Sequence, residues 1–346
     1  YKVSVIRRIK NASTATCTLP IYMGFLMTEP NSISCTQLAE TYNISHDSVN
    51  RFLEREDYTP HDLYQEAIQH IDNNKLIVSI DDTVLDKPYS QHMDLVSYFW
   101  SGKHHRSVKG INLITLYATD QNGQNIPINF RIYDKSEGKT KNDYFMDMLS
   151  EVLSWGAKIQ FITGDSWYSS TGNLKTIRKY GIRFMFGIDC NRKVSPEKGQ
   201  WFQLRLLPNF HQGQVVWLKD FGFVQLFKTQ LKEQQRFYIV HQDEDDLLSF
   251  EGFHELHSSH WKIEQYHRVI KQVCHIEKFQ VRRSKLILNH IFSALMAYVE
   301  IQKNQFERIF ENVYRWQKKL FRPMIKNFID DFILDKNHLL PQRIYK

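Results

Sequence analysis

Two short apolar runs of β-strand character end in aspartate, and they restrict the fold of this chain more than any other feature. Residues 76–80 (LIVSI) lead into Asp81 and Asp82, and residues 158–164 (KIQFITG) lead into Asp165. Apolar runs of this length, bounded by polar residues, are typical of strands. Acids at strand ends lie at the rim of an α/β sheet, where ligands collect. The pattern predicts a sheet with carboxylates along one rim.

The rest of the chain predicts a mixed α/β sheet with an insertion. Residues 110–133 hold two β-rich runs joined by Asn122-Gly123, a strong hairpin signal, and strand and helix patterns alternate after them. Residues 190–250 change character, with short aromatic and β-branched runs and no helical period. We interpret that segment as a β-rich insertion.

A helical segment after the insertion, HWKIEQYHRVIKQ (260–272), surrounds one acid with basic residues. At 100° per residue, Glu264 shares a helix face with His260, His267, Arg268 and Lys271. The opposite, core-facing side carries Ile263, Tyr266, Ile270 and Val273. Taken alone, the stripe fits a solvated face with a Glu264–Arg268 pair, or an active-site acid among phosphate-binding cations.

The charge balance favours a polyanionic partner. The net charge is +7 with a pI near 9.0, and from Lys303 to Lys346 ten Lys or Arg stand against five Asp or Glu. The four cysteines are scattered without a CxxC pair, which indicates reduced thiols in an intracellular protein. No signal peptide or membrane span is visible, so we expect a cytoplasmic protein.

Near the N-terminus, residues 34–56 show two short amphipathic helical patterns around the turn YNIS. This pattern is typical of a helix-turn-helix, although any helical hairpin can produce it. Its second helix would offer five residues to DNA: His46, Asp47, Ser48, Asn50 and Arg51.

The three acidic positions together favour a metal site. Each acid alone fits an N-cap, a turn or an ion pair, but charges at a sheet rim are costly unless they are paired or metal-bound. Mg²⁺ prefers carboxylate oxygens and keeps several waters, so it needs few protein ligands. Two such ions can activate a water or a 3′-hydroxyl for phosphodiester displacement.

The motifs SIDDTVL, FITGDSWY and HWKIEQYHRVIK resemble the three catalytic motifs of DDE transposases from bacterial insertion sequences. The similar branch is the insertion sequence four superfamily, with its Tyr–Arg–Glu–Lys signature, and the resemblance runs from about Leu76 to Val299. It implies an RNase H-like core with a β-rich insertion between the second Asp and the Glu. It also implies two Mg²⁺ ions, with Mn²⁺ able to substitute, a hairpin intermediate, and a homodimer on double-stranded DNA. A transposase of this kind would be a bacterial protein associated with the nucleoid.

Carried over by position, the resemblance implies that Asp82, Asp165 and Glu264 are the catalytic metal ligands, with Asp81 as the adjacent alternative to Asp82. The signature Lys falls on Lys271, where it would contact a phosphate. The signature Tyr and Arg fall on His257 and His260, a departure that makes phosphate binding depend on pH.

Further DNA contacts are expected outside the third motif. Relatives stack a Trp of the insertion on a flipped base, and the resemblance makes Trp201 and Trp217 the candidates, although a core role is an alternative for each. The basic stretch GKHHRSVKG (102–110) is predicted to be a loop that contacts the DNA backbone, or a solvated loop. Its contributing residues would be Lys103, His104 and Arg106.

The sequence therefore predicts a cut-and-paste DNA transposase with five segments. They are a helical DNA-binding domain (1–75), the first part of an RNase H-like core (76–189), the β-rich insertion (190–250), the second part of the core (251–302) and a basic helical C-terminal region (303–346). Two alternatives stay open. One is an RNase H-like nuclease without strand transfer, and the other is a domesticated, non-enzymatic DNA-binding protein.

Overall fold

The computed structural model describes residues 15–29, 33–102, 104–231, 234–241 and 246–337. Its helices are α1 (Leu19–Thr28), α2 (Cys35–Tyr42), α3 (His46–Arg55), α4 (Pro60–Ala67), α5 (Lys141–Ser154), α6 (Thr171–Lys179), α7 (Phe250–Gln272), α8 (Ser284–Phe306) and α9 (Val313–Asn337). Its strands are β1 (Leu76–Asp86), β2 (Ser97–Ser101), β3 (Arg106–Thr119), β4 (Asn125–Ile132), β5 (Ile159–Gly164), β6 (Arg183–Ile188), β7 (Lys193–Ser195), β8 (Phe202–Gln203), β9 (Gln214–Leu218), β10 (Gly222–Leu231) and β11 (Gln234–His241).

The strands form one large mixed sheet, as the sequence predicts. Its order is β2-β3-β1-β5-β6-β11-β10-β9-β7-β8, and β4 also pairs with β3. Strand β1 is antiparallel to β3 and parallel to β5, and β5 is parallel to β6. Strand β11 then pairs with β6 in the antiparallel sense, so the strands between residues 193 and 241 extend the same sheet. The acids of β1 therefore lie on an interior strand, between β3 and β5.

The predicted extent of β1 is wrong in an informative way. The sequence suggests a strand that stops before Asp81, whereas β1 continues to Asp86 because β3 pairs with it along its full length. The parallel partner β5 stops earlier, with Ile80 opposite Gly164 as the last pair. Asp81 and Asp82 thus lie inside β1, at the point where its β5 neighbour ends.

Helices cover both faces of the central strands. On one face, Tyr266 of α7 stacks on Tyr117 of β3 with ring centroids 4.8 Å apart, and the Tyr117 hydroxyl hydrogen-bonds to that of Tyr298 of α8. On the other face, Phe145 of α5 packs edge-on against Phe186 of β6. The four apolar residues predicted to face the core from α7 are all buried.

Helix α8 is buried along most of its length, and its polar residues have partners in the N-terminal helices. Asn289 donates to the carbonyl oxygens of Leu53 and Glu56 at the end of α3, and His290 lies 2.9 Å from the hydroxyl of Tyr22. These contacts fix α1 and α3 on the core. Within the described part of the chain, no helix combines the length and hydropathy needed to cross a membrane.

The described N-terminal residues contain two short helices joined by a tight turn. Helix α2 ends at Asn43, which adopts φ 51°, and Ser45 caps α3 by accepting a hydrogen bond from the Asp47 amide. Of the residues expected to face DNA, Arg51 is exposed and Asn50 is half-buried. Ser48 is a correction, because it is buried and its hydroxyl accepts from the Cys17 amide.

Candidate active site

The end of β5 brings Asp165 beside the acids of β1. Because β1 and β5 are parallel and their last pair is Ile80 with Gly164, the residues that follow emerge side by side. Gly164 allows this approach, since a Cβ there would lie 2.6 Å from the ring of Phe186. The Asp165 carboxylate then accepts a hydrogen bond from the Trp167 amide and caps a short 3₁₀ turn.

Successive residues of a strand point to opposite faces, so Asp81 and Asp82 have different surroundings. Asp82 accepts three hydrogen bonds: from Tyr168 Oη at 2.9 Å to Oδ1, and from Asn112 Nδ2 at 2.6 Å and Lys141 Nζ at 2.7 Å to Oδ2. Its carboxylate is therefore held on both oxygens by the β3 and α5 side of the sheet.

Asp81 faces helix α7 instead. His267 Nδ1 lies 3.5 Å from Asp81 Oδ2, and burial lowers the pKa of His267 to about 3, so this imidazole is neutral. Burial also raises the pKa of Asp81 well above its usual range, and the charges of Asp82, Asp165 and Glu264 raise it further. Four carboxylates from β1, the end of β5 and α7 thus share one electrostatic environment.

The remaining members of this carboxylate cluster retain contact with water. Asp165 has an exposed surface, yet surrounding protein and the charge of Asp82 raise its pKa to about 6. Glu264 is exposed on α7, at the outer side of the cluster. Such mutual repulsion is relieved when a cation binds between the acids.

The basic stripe expected around Glu264 is only partly exposed. Arg268 is exposed, but His267 is buried, so its expected place on a solvent-facing stripe is wrong. Lys271 donates to the carbonyl oxygen of Val84 at 2.7 Å and lies 3.9 Å from a carboxylate oxygen of Glu277. Helix α7 is covered by β1 on one side and α8 on another, which buries more of its circumference than its apolar stripe indicates.

The two histidines at the signature Tyr and Arg positions contact protein hydroxyls. His260 Nδ1 lies 3.2 Å from Thr163 Oγ1 on β5, and His257 Nε2 lies 3.0 Å from the hydroxyl of Tyr238 on β11. Burial lowers the pKa of His260 to about 4, and it also lowers that of His257. Both are therefore neutral at pH 7 and line the sheet side of α7.

The two candidate tryptophans are surface residues. Trp201 and Trp217 are 45% and 43% exposed, so neither belongs to the core. Trp217 packs edge-on against Phe223, with ring centroids 4.8 Å apart. The rings of Trp217 and Phe223 line a cavity of about 670 Å³ beside β9 and β10.

The basic stretch 102–110 is mostly a hairpin, not a loop. Residues 106–110 belong to β3 and pair with β2, so only the turn before them is free of strand pairing, and Lys103 lies outside the described residues. His104 Nε2 contacts Asp86 Oδ2 at 3.0 Å, and Arg106 is exposed. The extra pairing arises because β3 has fourteen residues and binds β2 and β4 with different halves.

Sequence reasoning missed Asn112, Lys141 and Tyr168, the three donors to Asp82. Tyr168 carried a weak signal, since it follows Asp165 within the motif GDSWY. Asn112 and Lys141 carried none, because they depend on the register of β3 and the docking of α5. As arranged, no group of three His, Cys, Asp or Glu within the described residues could hold a metal ion.

Comparison of the sequence with known protein families identifies the domain that contains these acids. The family, described as the transposase DDE domain, matches residues 72–299. The chain belongs to this transposase family. The matched range of the transposase contains the whole carboxylate cluster, including its α7 member Glu264.

Two other comparisons add little to the family assignment. A search among curated proteins found no match for the transposase. Solved structures with some likeness include the Argonaute of Marinitoga piezophila in complex with 5′ OH guide RNA and target DNA, at 10% identity and a TM-score of 0.23, covering 67% of this chain and 33% of that one. The same Argonaute with guide RNA alone gives 10% identity and a TM-score of 0.22, covering 63% and 31%. The chain spans about a third of these proteins, and such TM-scores carry no argument about fold or function.

Proposed function

We propose that this chain is a DNA transposase that excises and joins an insertion sequence by metal-dependent phosphodiester chemistry. The observation that carries the proposal is the convergence of Asp82, Asp165 and Glu264, with Asp81 beside them, from two parallel strands and one helix. The family match covers all four acids. We further propose that the chain belongs to the insertion sequence four superfamily.

The strand order supports an RNase H-like core. Across the sheet, the order is β4-β3-β1-β5-β6. The first three strands are mutually antiparallel neighbours, and β5 and β6 run parallel to β1. This is the strand order and direction of an RNase H-like core. The segment between β6 and α7 would then be the β-rich insertion, which adds β7 to β11 to the sheet edge.

The acids have the chemistry that divalent cations prefer, and they would have to move closer together to bind one, because no three of them are placed to hold an ion as the described residues are arranged. Asp82, Asp165 and Glu264 supply the carboxylate oxygens that Mg²⁺ or Mn²⁺ prefers. The pKa values of Asp81 and Asp165 are raised first by burial and then by repulsion among the acids, and a bound cation would remove that repulsion. Two ions held there would supply activation of the attacking oxygen and stabilisation of the leaving oxygen.

The residues around the cluster would orient the acids and the DNA. Tyr168 and Asn112 hold Asp82 in place, and Lys271 ties α7 to β1 two residues beyond that acid. Water would attack the phosphorus at the end of the element, leaving a 5′-phosphate and a 3′-hydroxyl. That hydroxyl would attack a phosphodiester of the opposite strand, which would close a hairpin and release the 3′-hydroxyl of the flanking DNA. A second water would hydrolyse the hairpin and regenerate the 3′-hydroxyl of the element, which would then attack a phosphodiester of the target DNA and displace a target 3′-hydroxyl.

DNA would lie across the exposed side of α7 and the basic surfaces near it. We assign phosphate contacts to Arg268 and Arg106, base stacking to Trp201 or Trp217, and recognition of the element end to helix α3 through Asn50 and Arg51. Two copies would act on paired ends, so we expect a homodimer on DNA.

The deciding experiment measures Mg²⁺-dependent cleavage of DNA that carries the flanking inverted repeats, by wild type and Glu264→Gln. Loss of several kcal/mol of transition-state stabilisation would lower the variant's rate by about 10³-fold. Equal cleavage by both proteins would remove Glu264 from the site.

A strand-transfer assay with pre-cleaved ends separates the proposal from a nuclease of the same fold, which would give no joined product. If the protein is a non-enzymatic DNA-binding protein, both wild type and Glu264→Gln would bind the repeats and neither would cleave them. Circular dichroism of Glu264→Gln provides the control for folding, because Glu264 is exposed and its loss should leave the core intact.

A further inference from the structure

Lys141, the first residue of α5, places its ammonium against the Asp82 carboxylate. The Nζ donates to Asp82 Oδ2 at 2.7 Å, and the two side chains are only 18% and 16% exposed. The same Oδ2 accepts from Asn112 Nδ2 at 2.6 Å. An oxygen with two donors at these distances has little remaining capacity for a further ligand.

The position of Lys141 in its helix has no benefit for the helix itself. The helix macrodipole favours acids in the first turn and disfavours cations there. Thr140 and Asp143 already form a capping box at this terminus, so α5 begins without help from the lysine. The interaction that offsets the unfavourable position is the one with Asp82.

The ammonium also lies between the two acidic segments of the cluster. It sits 5.7 Å from the ring centroid of Trp167, two residues after Asp165, and its charge lowers the pKa of Asp165. His267, which faces Asp81 from α7, is neutral. Lys141 therefore brings a full positive charge to the place where the acids of β1 and β5 meet.

We propose that Lys141 is the internal counter-cation of Asp82, which holds the carboxylate in the metal-free protein and must release Oδ2 when a divalent cation binds. The inference rests on the proposed metal-dependent function. It makes Lys141 a positioning residue that weakens metal binding, whereas a purely structural lysine would strengthen it by keeping Asp82 in place.

The test is a Mn²⁺ binding isotherm of the full chain without DNA, with free Mn²⁺ measured by electron paramagnetic resonance. Lys141→Gln should bind Mn²⁺ about 3–10-fold more tightly than wild type, because a competing cation and its repulsion are gone. Lys139→Gln is the matched control, since it removes the same charge two residues away. Lys139 pairs with Asp147, both are about half exposed, and its loss should leave the Mn²⁺ affinity unchanged.

Unchanged or weaker binding by Lys141→Gln overturns the inference. Lys141→Met, which keeps the aliphatic stem, repeats the measurement if the Gln variant folds poorly. Asp82→Asn and Glu264→Gln separate this failure from failure of the proposed function. If both weaken Mn²⁺ binding while Lys141→Gln does not tighten it, only the role of Lys141 is wrong. If neither has any effect, the metal site and the role of Lys141 both fall.

Discussion

Two groups of charged side chains lie a few residues apart near β1, and they are built in opposite ways. The carboxylate cluster gathers four acids whose charges repel one another. At the far end of the strand, Lys87 is 7% exposed and its ammonium donates to the carbonyl oxygens of Glu277 and Phe279, both at 2.6 Å. Lys271 of α7 lies beside it, because its ammonium donates to the carbonyl oxygen of Val84 and lies 3.9 Å from a carboxylate oxygen of Glu277. We call this second group the lysine clamp.

The difference distinguishes the proposed metal site from a group of charges that has a structural role. In the lysine clamp, each ammonium is matched by main-chain oxygens or a carboxylate, and Lys87 also lies 3.5 Å from the ring centroid of Phe279. In the carboxylate cluster, like charges exceed the cations that face them, which is costly in a folded protein. A substitution in the cluster should therefore reduce activity while preserving stability, and a substitution of Lys87 in the clamp should reduce stability while preserving activity.

The largest expected effect comes from comparing Asp82→Asn with Asp81→Asn. Asp82→Asn should lower DNA cleavage by about 10³-fold, because it removes a proposed metal ligand. Asp81→Asn should have a much smaller effect on cleavage and should raise the free energy of unfolding at pH 8, since it removes a buried charge that three acids oppose. Cleavage rates and chemical denaturation check both proteins. A reversed ranking in the cleavage assay would make Asp81 the metal ligand.

Removing the clamp should cost stability. Lys87→Met keeps the stem over Phe279 but leaves two carbonyl oxygens without their donor, so we expect unfolding to become easier by about 2–4 kcal/mol. Urea denaturation followed by circular dichroism measures it, and Lys139→Gln again serves as the surface control. If Lys87→Met is as stable as wild type, the hydrogen bonds of the ammonium only offset the cost of burying its charge.

The sequence predicts the parts of this site that depend on local pattern. The acids of β1 and β5 follow from two apolar runs, the β3–β4 hairpin from Asn122-Gly123, and the buried side of α7 from its helical period. Each of these signals lies within a few neighbouring residues, so each is readable without knowing how the elements pack.

The surroundings of Asp82 could not be predicted in this way. Its donors Asn112, Lys141 and Tyr168 lie 30, 59 and 86 residues away along the chain. Their positions depend on strand register and on how α5 docks, which periodicity does not encode. The burial of His267 was missed for a related reason, because two neighbours cover α7 and the helical period reveals only its apolar stripe.

The smallest expected effect concerns His290, which connects the clamp to the N-terminal helices. Its Nδ1 lies 2.9 Å from the Tyr22 hydroxyl, and burial, then the charge of Lys87, lower its pKa to about 3. His290 therefore becomes protonated near pH 6.5 in the unfolded chain, but only near pH 3 in the folded chain. The stability this residue contributes is present above pH 6.5 and is lost as the pH falls through this window.

Replacing His290 should reduce the pH dependence of unfolding. His290→Gln should lower the slope of the unfolding free energy between pH 6.5 and 4.5 by up to about 1.4 kcal/mol per pH unit, the limit for one proton. Denaturant titrations at several pH values give the slope. His211→Gln is the control, because His211 is exposed and lies just before β9. If His290→Gln and wild type have parallel profiles, the imidazole titrates alike in both states. In that case burial would not prevent protonation of the His290 imidazole in the folded protein.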